Sequence, residues 1–447
     1  MIIDFLLEWD YKMKTHIIQN KNGEFILFLP NTCRFFKISK SVKNIVLDIE
    51  KGIDKKIIVD KYNIDFEKYE KILELVNQEI IEVPKNIDKV KKISKLALHI
   101  VNGCNLNCIY CYANGGTYNS TSSVISNKTL MQTIDTFYNR FDCIECIQFF
   151  GGEPTLNLGA IEFVCEYVKR LYESNRISKI PNYTITTNGT CATDYFIDLI
   201  NKYNIDVTVS LDGNKDITNE TRLNRQGYKT ADVIENNIVK LRNKTNQPIA
   251  AEVTFTQWHI NKGISVQDTV DYLYDKFKFK AIHVVPVSAK EHASYRLKNR
   301  ETFFDAVSSS FKNKKVKYML VNQILDSLFN KKISNKICGA GATVFSVSAK
   351  GDIYPCFMLN DCEEYKLGNV YSLTDEFWDI QKGPTRKYYK YDRFKYAKCN
   401  ECFNRTICHG CMGINQYTTG NIFESAEEEC EFMRKLTEEV IISVLES

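Results

Sequence analysis

The chain has 447 residues, too many for one ordinary hydrophobic core, and reads as roughly two to three domains. With 44% hydrophobic and 26% charged residues it does not fit a disordered chain, and 59 basic against 55 acidic residues leave a net charge of +4, which is no nucleic-acid signature. No apolar run reaches the ~18 residues of a membrane span, and "MIIDFLLEWDYKMK" lacks the basic start, long apolar centre and cleavage site of a signal peptide.

Residues 1–90 read as a small separate module. "GEFILFLP" and "TCRFFKIS" predict two strands joined by a turn at Pro30 and Asn31, and "SVKNIVLDIEKG" predicts a helix stopped by Gly52. "DFEKYEKILELVNQEII" puts Phe66, Tyr69, Ile72, Leu73, Leu75 and Val76 largely on one face of a further helix. Strands followed by short helices suggest a winged-helix-like unit, and the basic stretch "PKNIDKVKKISK" reads as a linker.

Residues 91–310 alternate strand with helix. "LALHIV", "IQFF", "YTITT", "DVTVSL", "IAAEVTF" and "AIHVVPV" are strand candidates. Between them run helices carrying Leu130, Ile134, Phe137 and Phe141; Ile161, Val164, Cys165, Val168 and Leu171; Val233, Ile234, Ile238 and Leu241; and Val266, Val270, Leu273 and Phe277. Six such units imply an α/β fold of parallel strands with right-handed crossovers, whose chemistry belongs in the loops at the strands' carboxyl ends. Residues 311–447 form a third region. From about residue 338 cysteines, glycines and aromatics replace regular periodicity, so metal clusters are expected to hold it, and "FESAEEECEFMRKLTEEVIISVLES" reads as a closing helix.

Sixteen cysteines without a secretion signal point to metal or redox chemistry rather than a disulfide scaffold. Cys33, Cys143, Cys146, Cys165 and Cys191 are scattered and read as ordinary buried cysteines. Cys104, Cys108 and Cys111 are spaced C-x3-C-x2-C just after the first strand, with Tyr110 before the last. Neither cysteine nor histidine follows within thirty residues to complete a zinc site. An iron–sulfur cube held by three thiolates instead leaves one iron open to a ligand from outside the protein.

This loop resembles the hallmark of the radical S-adenosylmethionine (SAM) superfamily, in which the open iron chelates the amino and carboxylate groups of SAM. The resemblance implies a partial (β/α)6 barrel. It also implies that "FFGGEPTLN", with Gly151, Gly152, Glu153 and Pro154, holds the methionine amino group, that Asn188, Ser210 and Asp212 line the mouth, and that Arg222 pairs with the methionine carboxylate. Cys338, Cys356, Cys399, Cys402, Cys408, Cys411 and Cys430 resemble the SPASM extension, although the usual last C-x3-C is C-x2-C here. By that analogy Cys399, Cys402, Cys408 and Cys430 close one auxiliary cluster, and Cys338, Cys356 and Cys411 hold another. Together with the SAM-binding cluster that makes three 4Fe–4S clusters. The incomplete set is either closed by Cys362 or left open, as in thioether-forming peptide maturases. A structural zinc at Cys399, Cys402, Cys408 and Cys411 is the competing reading, although the two CxxC pairs are closer than in a zinc ribbon. His409 is expected to be a neighbour, not a ligand.

The N-terminal module resembles the leader-peptide recognition element of peptide-modifying enzymes. A nucleic-acid winged helix is its rival, but the strongest basic run lies in the linker. The expectation is therefore a cytoplasmic radical SAM peptide maturase that binds a cysteine-containing precursor through its leader and installs a thioether. It would take electrons from a ferredoxin- or flavodoxin-type donor, with no nucleic-acid or membrane partner. Carbon–carbon crosslinking and formylglycine formation of the anaerobic sulfatase-maturating type are the alternatives. The latter enzymes typically carry an Asp where Phe357 follows Cys356 here. A catalytically inactive iron–sulfur scaffold is the non-enzymatic alternative, and Glu252 and Asp212 are candidate bases by position.

Overall fold

The computed structural model describes residues 15–77, 91–312 and 317–447. The opening segment, the end of the helix read through residue 81 and most of the linker lie outside the described residues.

Three antiparallel strands, β1 (His16–Gln19), β2 (Phe25–Leu29) and β3 (Arg34–Ile38), form the first sheet. Helices α1 (Lys40–Glu50), α2 (Lys55–Tyr62) and α3 (Phe66–Val76) follow, each begun by a side-chain cap from Ser39, Asp54 or Asp65. Strand alternation sends Leu27 and Leu29 toward the helices, against Ile45, Val46, Ile58 and Tyr69. Phe66, expected on the buried face, is 51% exposed, with Lys55 Nζ over its ring.

The opposite face of β2 corrects the picture of a separate module. Ile26 and Phe28, with Ile18 and Cys33, pack into one cluster with Phe403, Ile407 and the closing helix α11 (Glu427–Glu446). His16 stacks on Phe403 with ring centres 3.7 Å apart and meets Glu438 at 2.7 Å. Arg405 Nη2 donates to Asn31 Oδ1 at 2.9 Å and the Thr406 hydroxyl to the Pro30 carbonyl at 2.9 Å.

All six strands read from the sequence form: β4 (Lys95–Asn102), β5 (Cys146–Gly151), β6 (Asn182–Thr187), β7 (Asp206–Ser210), β8 (Ala250–Phe255) and β9 (Ala281–Pro286). They pair in parallel in chain order, as a partial (β/α)6 barrel requires. The sheet runs on beyond the six. β10 (Lys317–Tyr318) joins β9, while β11 (Val344–Val347) pairs in parallel with β4 and leads to antiparallel β12 (Asp352–Tyr354) and β13 (Gly368–Asn369). The C-terminal region thus shares the sheet of the core.

Helices α4 (Asn127–Arg140), α5 (Leu158–Glu173), α6 (Asp194–Tyr203), α7 (Ala231–Lys244) and α8 (Val266–Phe277) connect the strands. The boundary read between residues 310 and 311 falls inside α9 (Glu301–Lys312), and α10 (Met319–Phe329) follows. The predicted apolar faces are buried except for Val233. Ile147, Phe149, Ile185, Val207, Val253 and Val284 face the helix layer, each buried aliphatic contributing roughly 1.5–3 kcal/mol. Alternation puts Gln148, Thr186, Thr208, Ser210, Glu252 and His283 on the other face, giving the barrel a polar lumen. Among the described residues no helix is long and apolar enough to cross a membrane.

Candidate active site

The four motif loops gather at the carboxyl ends of β4 to β7. The Cys104–Cys108–Cys111 loop leaves β4 and pairs its backbone with the segment after β7: Asn107 N–H donates to the Leu223 carbonyl at 2.8 Å and Ile109 N–H to the Thr221 carbonyl at 3.0 Å. Arg225 clamps it from outside, donating to the carbonyls of Cys104 (2.6 Å) and Gly115 (3.2 Å). The sequence reading missed Arg225, whose partner lies 121 residues away.

Gly151 and Gly152 are required by close approach. Gly151 has φ +135°, and a Cβ there would lie 2.2 Å from the Val101 carbonyl oxygen. A Cβ at Gly152 would lie 2.1 Å from the Gly103 carbonyl oxygen, and one at Gly116 would lie 2.3 Å from the Gly152 Cα. The cysteine loop and the GGEP turn therefore close backbone to backbone.

Glu153 sits fully buried beneath that turn. Its carboxylate accepts from the Thr155 hydroxyl (2.6 Å) and N–H (3.0 Å), the Thr187 hydroxyl (2.7 Å) and the Asn188 N–H (2.7 Å). Burial raises its pKa and these bonds pull it back. Pro154 is buried beside it. The Asn188 amide donates to Asn105 Oδ1 at 2.8 Å and reaches Cys104 Sγ at 3.6 Å, while its oxygen accepts from Thr190. Thr187, Thr190 and Asn105 are further site residues not singled out from the sequence.

Ser210 is half-buried on the lumen face beside Glu252. Asp212, expected to point into the mouth, is instead fully buried. Its carboxylate accepts from the Tyr110 hydroxyl (2.6 Å), the Thr221 hydroxyl (2.7 Å) and the Thr254 N–H (3.2 Å). Arg222 joins them, donating to the Tyr110 hydroxyl at 2.5 Å and standing 3.6 Å from Asp212. In this structure the guanidinium is engaged inside the protein, with its Nε buried and unpartnered.

Three groups of cysteines are near neighbours. Cys104, Cys108 and Cys111 lie within electrostatic reach of one another. So do Cys338, Cys356 and Cys411, and separately Cys399, Cys402, Cys408 and Cys430. Cys362 packs against the same hydrophobic cluster as Cys356, and both lie within electrostatic reach of Tyr388. Among the described residues no three Cys, His, Asp or Glu side chains converge as around a single ion. Burial pushes the thiols of Cys108 and Cys356 up to about 12 and that of Cys408 up to about 11. Sets of three and four thiols are donor numbers that an iron–sulfur cluster takes, so these donors fit such clusters. The His409 Nε2 lies 3.0 Å from the Ser327 hydroxyl and 3.2 Å from the Gln323 carbonyl oxygen. Of the scattered cysteines, Cys33 and Cys165 are fully buried, and Cys143, Cys146 and Cys191 are half-buried. A groove of about 670 Å³ lined by Gln132, Arg140, Tyr371 and Trp378 holds none of the candidate residues.

The radical SAM superfamily profile matches residues 98–247, and that of the SPASM iron–sulfur cluster-binding domain matches residues 338–403. The chain is 31% identical over 287 residues to the uncharacterized protein MJ0907 of Methanocaldococcus jannaschii, spanning 63% of this chain and 90% of that one. It is 26% identical over 392 residues to the radical SAM cyclopropyl synthase TigE of Paramaledivibacter caminithermalis, spanning 79% and 75%. The fold is similar to anSMEcpe with bound AdoMet (TM-score 0.67, 20% identity, 80% and 98% covered). It is also similar to Streptococcus suis SuiB bound to the precursor peptide SuiA (TM-score 0.51, 14% identity, 94% and 98% covered).

Proposed function

The chain belongs to the radical SAM superfamily and carries a SPASM domain, and from that premise we propose that it is a peptide maturase that forms a thioether from a cysteine of a ribosomally made precursor. Cys104, Cys108 and Cys111 hold the first 4Fe–4S cluster, where SAM, once bound, supplies the 5′-deoxyadenosyl radical that takes a hydrogen atom from a substrate carbon. The protein's own part is orientation and seclusion.

Gly151 and Gly152 offer backbone edges to the methionine end of SAM, and Pro154 fixes the turn. Glu153 braces that turn against the end of β6, since its four donors leave it little capacity for a ligand. Asn188 and Ser210 line the mouth. Tyr110, Asp212 and Arg222 form a buried unit that anchors the cysteine loop to β7; Arg222 holds the Tyr110 hydroxyl through Nη1 and keeps its Nε unpartnered for the SAM carboxylate. Cys399, Cys402, Cys408 and Cys430 hold one auxiliary cluster, and Cys338, Cys356 and Cys411 the other, for three in all.

One observation carries the thioether reading. The Cys338, Cys356 and Cys411 set brings three thiols within reach of one another. A substrate thiolate fits the remaining position. The similarity to a protein named a cyclopropyl synthase favours carbon–carbon bond formation as the second reading. The N-terminal sheet and helices are read as the leader-binding element, and a ferredoxin- or flavodoxin-type protein as the electron donor.

The test is anaerobic co-expression with each short cysteine-containing reading frame encoded beside the gene. The expected product lacks two hydrogens, and its cysteine no longer reacts with iodoacetamide. A product lacking two hydrogens with a reactive cysteine contradicts the thioether and supports the second reading.

A further inference from the structure

We propose that Asp361 is the proton acceptor of the bond-forming step, an assignment that rests on the peptide-maturase reading above. Removing two hydrogens from a peptide to join sulfur to carbon divides them unequally. The C–H hydrogen leaves as an atom and ends in 5′-deoxyadenosine. The S–H proton leaves for a base, the C–S bond forms, and the surplus electron passes to an acceptor of the iron–sulfur class. Carbon–carbon joining has the same balance, with the proton coming from a second carbon or a heteroatom. A base is thus needed between the mouth of the barrel and the three-cysteine set.

Two carboxylates at the mouth are unsuited to that task. Glu153 and Asp212 are fully buried and saturated by internal donors. Glu252 stands in the lumen beside Ser210, 4.0 Å from His283. Asp361 lies where the two sites meet. It follows the single helical turn Phe357–Leu359 that leaves Cys356. Its Oδ2 accepts from Asn102 Nδ2 at 2.7 Å, and Asn102 ends β4 two residues before Cys104.

The Tyr118 hydroxyl is 3.4 Å from that of Tyr112, and its ring packs on His99, which packs on Phe150, which packs on Phe357 with ring centres 4.5 Å apart. This aromatic wall runs from the first cysteine loop to the second, and Asp361 follows the turn that carries Phe357. Asp361 also has φ +55°, a left-handed conformation that aspartate tolerates better than most residues and that the surrounding contacts must hold. The carboxyl is half-buried, and its pKa is raised above the usual range by that burial, against the Asn102 bond and Lys350 and with the help of Asp352. A carboxylate made more basic is the better general base.

The experiment uses the full chain, anaerobically loaded, with a synthetic copy of the precursor found by co-expression, deuterated at the modified carbon. Asp361→Asn is expected to keep its iron content and its affinity for fluorescein-labelled precursor. It still passes deuterium into 5′-deoxyadenosine, but product formed per deoxyadenosine falls roughly 100-fold, and a substrate-radical signal builds up in the electron paramagnetic resonance spectrum. Asp361→Glu restores part of the ratio. An unchanged ratio in Asp361→Asn overturns the assignment, and so does a parallel loss of iron or peptide affinity, which marks a structural role. A wild-type chain that cleaves SAM but modifies no precursor overturns the maturase reading, and this assignment with it.

Discussion

The mouth of the barrel and the cysteine-rich segment both gather thiols, but they are held in different ways. At the mouth, parallel strands fix the loops, and hydrogen bonds brace them: Glu153 to β6, Asp212 to Tyr110, Arg225 to Cys104. None of these contacts involves a metal. Between residues 338 and 430 the structure is mostly single turns and short pairs. There, order comes from cysteine sets, an aromatic cluster of Phe137, Phe141, Phe345 and Trp378, and the N-terminal sheet seated on Phe403, Arg405 and Thr406, between Cys402 and Cys408. On the proposed assignment the first region is a scaffold that would receive a cluster, and the second is expected to depend on its clusters for structure.

That contrast predicts opposite responses to losing a cysteine, which is the largest expected effect. Cys108→Ala should abolish 5′-deoxyadenosine release while leaving the melting temperature near wild type. Cys408→Ala should lose several kcal/mol of stability and much soluble yield. Iron analysis, thermal unfolding and nucleoside chromatography on the two variants check this, and equal destabilisation would erase the distinction.

Glu153→Gln should cost about 1–3 kcal/mol, because buried donors lose a charged acceptor, and should weaken SAM binding measured by calorimetry. The mouth also has a pH signature. Burial lowers the His99 pKa from 6.5 to about 3, so its imidazole is neutral in the fold. The unfolded chain therefore binds the extra proton in that window. Stability is complete above about pH 6.5 and falls by ~1.4 kcal/mol per unit as pH drops toward 3. Relative to wild type, His99→Leu should hold a constant difference from pH 8 to about 6.5 and gain stability from there down to pH 5.5 in urea unfolding. The smallest effect is expected at the seat of the N-terminal sheet. His16→Ala removes the stack on Phe403, costing roughly 0.5–1.5 kcal/mol, and should leave deoxyadenosine release intact.

Much of this was legible in the residues. Aliphatic runs of strand length marked all six barrel strands, and the resemblance to the SPASM extension supplied the proposed cysteine sets. β1 and α2 passed unread because their apolar patterns are short and weak. The second buried face of the N-terminal sheet was hidden for another reason. Its partners are more than 370 residues away, as with Asn31 and Arg405. The same holds for Asp212, whose place under the site depends on Tyr110, 102 residues earlier. Local sequence shows which loop bears a polar residue but not which way tertiary contacts turn it.

The most direct test is addition of SAM and dithionite to the anaerobically reconstituted, iron-replete chain, with Cys108→Ala alongside. A site built on Cys104, Cys108 and Cys111 to accept SAM releases 5′-deoxyadenosine from wild type and none from the variant. Equal amounts from both, or none from either, would contradict it.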